Sequence, residues 1–254
     1  MAVRLFKQIF YGSIFLIIII GLLAFFYFSF KSKPSCFDGK QNQGEEGIDC
    51  GGPCSQICFP ADFRNIEVTW TKLLNTKSQL ILIAKIQNPN SGLAAYSFDY
   101  EFNILSNGEV LKTIQGKSFI YAEEIKYIEE FVNKDNMNAD NLEIKFAIKN
   151  VNWVKSQNFS KPKIDLISKD IQLKDDFNYL TGRVKNSDFV SLNNVQILAN
   201  VYDNKSLISS SKTLIDNIPP AETKNFQIIF PKDIDISKYN LEIVIEAKKQ
   251  WKKF

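Results

Sequence analysis

Leu82-Ile-Ala-Lys-Ile-Gln-Asn88 returns about 98 residues later as Leu180-Thr-Gly-Arg-Val-Lys-Asn186, a spacing of one small domain. Ile104-Leu-Ser-Asn107 returns as Val201-Tyr-Asp-Asn204, and Asn141-Leu-Glu-Ile144 returns as Asn240-Leu-Glu-Ile243. Trp153 finds Trp251. Anchor points kept in the same order mark a tandem duplication. The repeating unit is too large for a solenoid.

Each copy has the two-residue period of strands. Leu80, Leu82, Ala84 and Ile86 alternate with neighbours directed to the other face. Phe98, Tyr100, Phe102 and Ile104 do the same, with Val195, Ile197, Ala199 and Val201 as their counterparts. Leu142, Ile144, Phe146 and Ile148 end the first copy, and Leu241, Ile243, Ile245 and Ala247 end the second. Asn107-Gly108 is a hairpin turn, since both residues tolerate positive φ. Short strands at this density predict a mainly β chain with two tandem immunoglobulin-like β-sandwiches, at 61–155 and 164–254. The disulfide and central tryptophan of immunoglobulin domains are missing, so the likeness is architectural. A polar linker at 156–163 contains Pro162, and its shortness predicts sandwiches set end to end with limited flexing.

Ahead of the duplication, Ile9 to Phe30 contains no charged residue. About 22 residues at 1.5 Å each reach roughly 33 Å, enough to cross a bilayer's hydrocarbon core. Arg4 and Lys7 flank it on one side, Lys31 and Lys33 on the other. A cleaved signal peptide is the rival reading, but the apolar run is too long and Phe28-Ser29-Phe30 is no small-residue cleavage site. The segment 9–30 is therefore read as a transmembrane signal anchor behind a cytoplasmic tail, 1–8. The bulk of the chain is placed outside the cell membrane because of its cysteines.

All four cysteines, Cys36, Cys50, Cys54 and Cys58, fall within the collar 31–60. This glycine-rich, apolar-poor stretch cannot bury a core, so it needs staples. Two disulfides are preferred over a four-thiolate zinc site, for lack of a paired Cys-x-x-Cys; three connectivities are open. Asp38, Asn42, Glu45, Glu46 and Asp49 also offer the hard oxygens that calcium takes, although the spacing is not that of an EF-hand and a solvated polar loop is preferred. Calcium at Asp38, Asn42, Glu45 and Asp49 is the one cofactor the sequence suggests.

Composition narrows function. The chain has 254 residues, 31 basic and 28 acidic. Setting aside Arg4, Lys7, Lys31 and Lys33 leaves 27 basic against those 28 acidic, a near-neutral ectodomain with no nucleic-acid surface. There is no histidine, which excludes Ser-His-Asp and Cys-His nucleophiles and the usual histidine-ligated metals. Glu123-Glu124 and Glu129-Glu130 are read as solvated or turn residues, because neighbours on a strand point to opposite faces. Asp175-Asp176 reads as turn chemistry. The basic tail from Lys248 to Phe254 is read as a solvated end. Trp70, Trp153 and Trp251 could stack on sugars, yet the matched pair Trp153 and Trp251 argues for a structural role. Asn158-Phe-Ser160 and Asn204-Lys-Ser206 are formal glycosylation sequons.

The collar resembles a cysteine-rich motif of bacterial and archaeal surface proteins, Cys-x-Asp-Gly, then Asn and Glu, then Asp-Cys-Gly-Gly-x-Cys. Cys36, Asp38, Gly39, Asn42, Glu45, Asp49, Cys50, Gly51, Gly52, Cys54 and Cys58 fit it. The first copy, with Asn88-Pro89-Asn90, Phe98-Asp-Tyr-Glu-Phe102 and Asn107-Gly108, resembles the second-group late embryogenesis abundant (water-stress) domain. The second copy is similar to the bacterial FxLYD domain through Gly182, Val184, Asn186, Val201-Tyr202-Asp203 and Ile218-Pro219-Pro220, departing from it at Ala199 and Val201. These resemblances imply a spacer and two small sandwiches, and no catalytic residue. The expectation is a non-enzymatic membrane protein presenting its sandwiches to a protein or envelope partner. The alternatives are a stress-protective envelope protein and a carboxylate-dependent hydrolase.

Overall fold

The computed structural model describes residues 2–30, 35–76, 79–134, 141–174, 177–231 and 234–249. Lys31, Lys33, Asp175, Asp176 and Trp251 lie outside the described residues. The chain forms two compact units, Met1–Pro60 and Ala61–Phe254.

The first unit holds one helix, α1 (Ala2–Phe30), of 29 residues. Its stretch Phe6–Phe28 has 23 residues of mean hydropathy 2.7, none buried. Such a length can span a membrane. The Ser13 hydroxyl donates to the Ile9 carbonyl at 2.9 Å, which lets a polar side chain sit in an apolar helix. After the helix comes the collar. Gly52 there has φ +58°, and an added Cβ would lie 2.1 Å from the Gly44 carbonyl oxygen, so only glycine closes this turn.

Among the described residues, the regular elements of the second unit are strands and one short 3-10 turn (Ile236–Lys238). The first copy contributes β1 (Glu67–Asn75), β2 (Gln79–Gln87), β3 (Leu93–Ser106), β4 (Glu109–Ile120), β5 (Ile125–Asn133) and β6 (Leu142–Lys155). The second contributes β7 (Ile164–Lys174), β8 (Phe177–Asn186), β9 (Leu192–Asp203), β10 (Ser206–Ile218), β11 (Thr223–Pro231) and β12 (Asn240–Lys249). The antiparallel sheets run β1-β2-β5 and β4-β3-β6 in the first copy, and β7-β8-β11 and β10-β9-β12 in the second. Each strand thus has a counterpart six positions on, and the duplication is complete at the level of topology. Asn107 and Gly108 take φ 52° and 86° in the β3–β4 hairpin, and Asn204 repeats the turn with φ 54°.

The same buried asparagine knot ties both copies. Asn88 donates its amide to the carbonyls of Leu93 and Tyr121, and Asn186 donates to those of Val190 and Ile218. Both side chains are fully buried. Each side-chain oxygen accepts a backbone N–H two residues on, from Asn90 and from Asp188. Four carbonyls at the strand ends and in the adjoining loops each gain a buried donor in this way.

The sandwiches do not stand end to end. Sheet β1-β2-β5 lies face to face on sheet β10-β9-β12, giving four stacked layers with three cores. The inner cores hold Leu80, Leu82, Phe98 and Phe102 in the first copy, and Leu180, Val195, Ile197 and Phe230 in the second. The third core is the seam, where Leu74, Ile81, Ile83 and Tyr127 meet Leu198 and Leu207. The reason lies in β2. Leu80-Ile81-Leu82-Ile83 is apolar on both faces, so its even positions fill the sandwich and its odd positions need a second cover. Each such side chain gains about 1.5–3 kcal/mol on burial, which a linear arrangement would forfeit. The linker is also pinned. Phe159 stacks on Tyr121 at 4.6 Å, and Lys161 pairs with Glu124 at 2.8 Å.

Candidate functional site

The collar forms two interleaved disulfides, Cys36–Cys54 and Cys50–Cys58. With every thiol so engaged, the zinc alternative is overturned. Asp38, Asn42, Glu45 and Asp49 are brought together, but their carboxylates face donors. Asp49 accepts the Asp38 and Gly39 N–H groups, and Glu45 accepts those of Asn42 and Asp49. The Asn42 amide donates to Asp38 and, as the largest cause, holds its carboxyl below the usual range. The carboxylates of Asp38, Glu45 and Asp49 form the hydrogen-bonded frame of the loop, while Asn42 Oδ1 is buried without a partner. Cys36, Glu45 and Cys54 also cluster, with both sulfurs spent on each other.

The chemistry of the second unit gathers at the seam. Glu129, expected to be solvated, is 4% exposed, and Glu130 takes the Tyr100 hydroxyl at 2.5 Å. The Ser210 hydroxyl of β10 bridges the Glu129 carboxylate at 2.5 Å and the Asn200 side-chain oxygen at 2.7 Å. Lys212 donates to the Glu129 carbonyl at 3.0 Å. Burial pushes the Glu129 carboxyl up to about 7 despite these contacts. Glu129 Oε2, Asn200 Nδ2 and Glu246 Oε1 are buried without a partner. Lys126 of β5 pairs with Glu246 of β12 across the seam, with exposures of 2% and 9%, and its ammonium lies 4.0 Å over the Phe119 ring.

The start of the basic tail is likewise structural, not solvated. Lys248 donates to the Tyr96 carbonyl and sits over the rings of Tyr96, Phe119 and Phe159 at 4.5–5.5 Å. Desolvation and Lys126 lower its pKa. Lys249 pairs with Asp188 at 3.0 Å. Tyr121 donates its hydroxyl to the Ala247 carbonyl at 2.8 Å. The last strand of the second copy therefore latches onto the first copy.

Where the two facing sheets part, a cleft of about 920 Å³ opens. One wall is Trp70, Thr71 and Lys72 of β1 with Lys85 of β2 and Tyr127 of β5; the other is the β9–β10 turn, including Asn204 and Lys205, with Asn240 and Glu242 of β12. The Tyr127 hydroxyl donates to Glu242 at 2.9 Å and lies 3.2 Å from the Tyr202 hydroxyl. Burial, first of all, raises both tyrosine pKa values, so both hydroxyls stay protonated at physiological pH. Trp70 leans on Tyr127 with ring centroids 6.0 Å apart.

No family model matches the chain, and no curated protein matches it. Among solved structures it is similar to red sea bream transglutaminase, at 10% identity and TM-score 0.25, over 70% of this chain and 29% of that one. A β-glucuronidase of glycoside hydrolase family 2 is similar at 8% identity and TM-score 0.25, over 86% of this chain and 27% of that one. The chain spans under a third of either protein, and likeness at this level carries no functional argument.

Of the three tryptophans weighed for stacking, the structure puts Trp70 in the cleft and Trp153 against Phe63 at the edge of the first core. Sequence reading missed the rest of the cleft, because its residues come from five separated stretches. The readable signal was the doubly apolar β2, which announces a second face to be covered.

Proposed function

We propose that this chain is a membrane-tethered, extracytoplasmic binding protein without enzymatic activity. Its fused double sandwich would present the seam cleft to a partner at the envelope. The observation that carries this reading is the order of parts: a 23-residue apolar helical span, then a collar closed by two disulfides, then the β unit. Disulfides persist in oxidising compartments, which favours the far side of the membrane from the cytosol. The collar's likeness to the motif of prokaryotic surface proteins supports the same placement. Two sandwiches locked by a buried seam make a rigid platform, which suits recognition rather than flexing display. A glycoside hydrolase needs two carboxyl groups flanking its bond, and among the described residues Glu242, already engaged by Tyr127, is the one carboxylate lining the cleft.

Protease added to intact cells tests the placement. Loss of the β unit, with a membrane-embedded N-terminal fragment surviving, is the expected result. Recovery of the whole chain from the cytosol with reduced cysteines would overturn it.

A further inference from the structure

We propose that the seam cleft binds an acidic sugar chain, one whose rings carry carboxylates. This rests on the reading above that the cleft is the binding surface, and it names the ligand class.

Charge comes first. Lys72, Lys85 and Lys205 line the cleft against the single carboxylate of Glu242. Among the described residues none of the three ammonium groups meets a carboxylate. Lys72 donates to the neutral Ser206 hydroxyl at 3.1 Å, and Lys85 lies 5.4 Å over the Tyr127 ring. Glu242 accepts the Tyr127 hydroxyl and is outnumbered three to one by these lysines. Three cations lining one cleft without a carboxylate in contact leave a positive field there that selects an anion.

Shape and lining select among anions. The cleft volume falls inside the range of about 300–1,000 Å³ usual for ligand sites, too roomy for a lone phosphate. Half-buried Trp70 offers a flat apolar surface for the C–H face of a sugar ring. Around it stand Thr71, Asn204 and Asn240, neutral groups that both donate and accept, as ring hydroxyls require. A peptide's backbone N–H and C=O groups would pair with the same amides, so the flat face of Trp70 is what favours a sugar ring, and tetraglutamate is the probe that separates the two. The walls belong to two sheets held by the seam core, so the site is formed before the ligand arrives.

The test uses the full chain in nanodiscs of zwitterionic lipid, titrated by calorimetry with tetragalacturonate, uncharged galactotetraose and tetraglutamate. Tetragalacturonate is expected to bind, and to weaken as salt rises. The Lys72→Gln/Lys205→Gln pair should weaken it at least tenfold with an unchanged melting temperature, since both side chains lie outside the buried cores. Trp70→Phe should weaken it while leaving the salt dependence in place. Equal binding of galactotetraose, preference for tetraglutamate, or no binding of any probe would overturn the sugar assignment. Those results leave the membrane-tethered reading standing, because protease accessibility on cells decides that separately.

Discussion

Ser210 of the second sandwich donates its hydroxyl to Glu129 of the first at 2.5 Å, and both residues are buried where the two inner sheets meet. A carboxylate with one oxygen so engaged and the other unpaired is a costly group to keep charged. The groups facing it are Ser210 and Lys212 from β10, Asn200 and Tyr202 from β9, and Glu246 from β12. Of these, Lys212 favours the charged form and Glu246 opposes it. Desolvation outweighs both, and the carboxyl titrates near 7.

The stability of the β unit should therefore fall as pH rises from about 4.5 to 7. In that window the native state holds a proton that the unfolded chain has released, so unfolding loses protons and is favoured by higher pH. A displacement of roughly 2.5 pH units corresponds to about 3 kcal/mol. The lowered carboxyls of Asp99, Glu101 and Asp188 act oppositely, and their contribution disappears as the pH falls below about 4. Denaturant titrations from pH 4.5 to 8 should show the decline, and Glu129→Gln should flatten it.

Lys126 and Glu246 form a buried pair that breaks unevenly. Removing either partner strands the other charge, so Lys126→Ala or Glu246→Ala should cost about 3–5 kcal/mol. Lys126→Met with Glu246→Leu should restore most of that, because the apolar pair fits among Phe119 and its neighbours. Chemical denaturation of these variants measures the losses, and the Lys126→Ala/Glu246→Ala double closes a double-mutant cycle with the two alanine singles. Additive losses would show that the two charges do not act together.

The asparagine knots offer an internal control. Asn88→Ala and Asn186→Ala each remove two buried amide donations to main-chain carbonyls. Each should cost about 3 kcal/mol, with similar values because the two sites are built alike. Urea unfolding measures it, and a large loss at one site alone would break the equivalence of the copies.

The period-two runs made the strands legible, and the repeat made the duplication legible, because both depend on local spacing. The stacking of the sandwiches depended on what the odd positions of β2 carry. Ile81 and Ile83 are as apolar as Leu80 and Leu82, and that excess was the available signal. Glu129 resisted prediction for the opposite reason. An acidic pair on a strand reads as solvent-facing, and only the partner sheet, supplied about 80 residues later by Ser210, reverses that. Lys248 and Lys249 also meet groups distant in sequence, three aromatic rings around Lys248 and Asp188 beside Lys249, and no local spacing signals either. The disulfides were legible as a pair of staples. Their pairing was not, because spacing alone fits three connectivities.

The collar should behave as a covalently closed loop with no need of calcium. Non-reducing mass spectrometry should find no free thiol and link Cys36 to Cys54 and Cys50 to Cys58. Removing one bridge, as Cys50→Ser/Cys58→Ser, should cost the collar about 2–5 kcal/mol and open it to proteolysis between Gly39 and Gly52. Adding calcium or a chelator should leave that proteolysis unchanged, because the backbone N–H groups accepted by Asp49 and Glu45, with the two disulfides, already hold the loop closed. Protection by millimolar calcium would mean that the carboxylates exchange those donors for the ion, and would return Asp38, Asn42, Glu45 and Asp49 to the role of ligands.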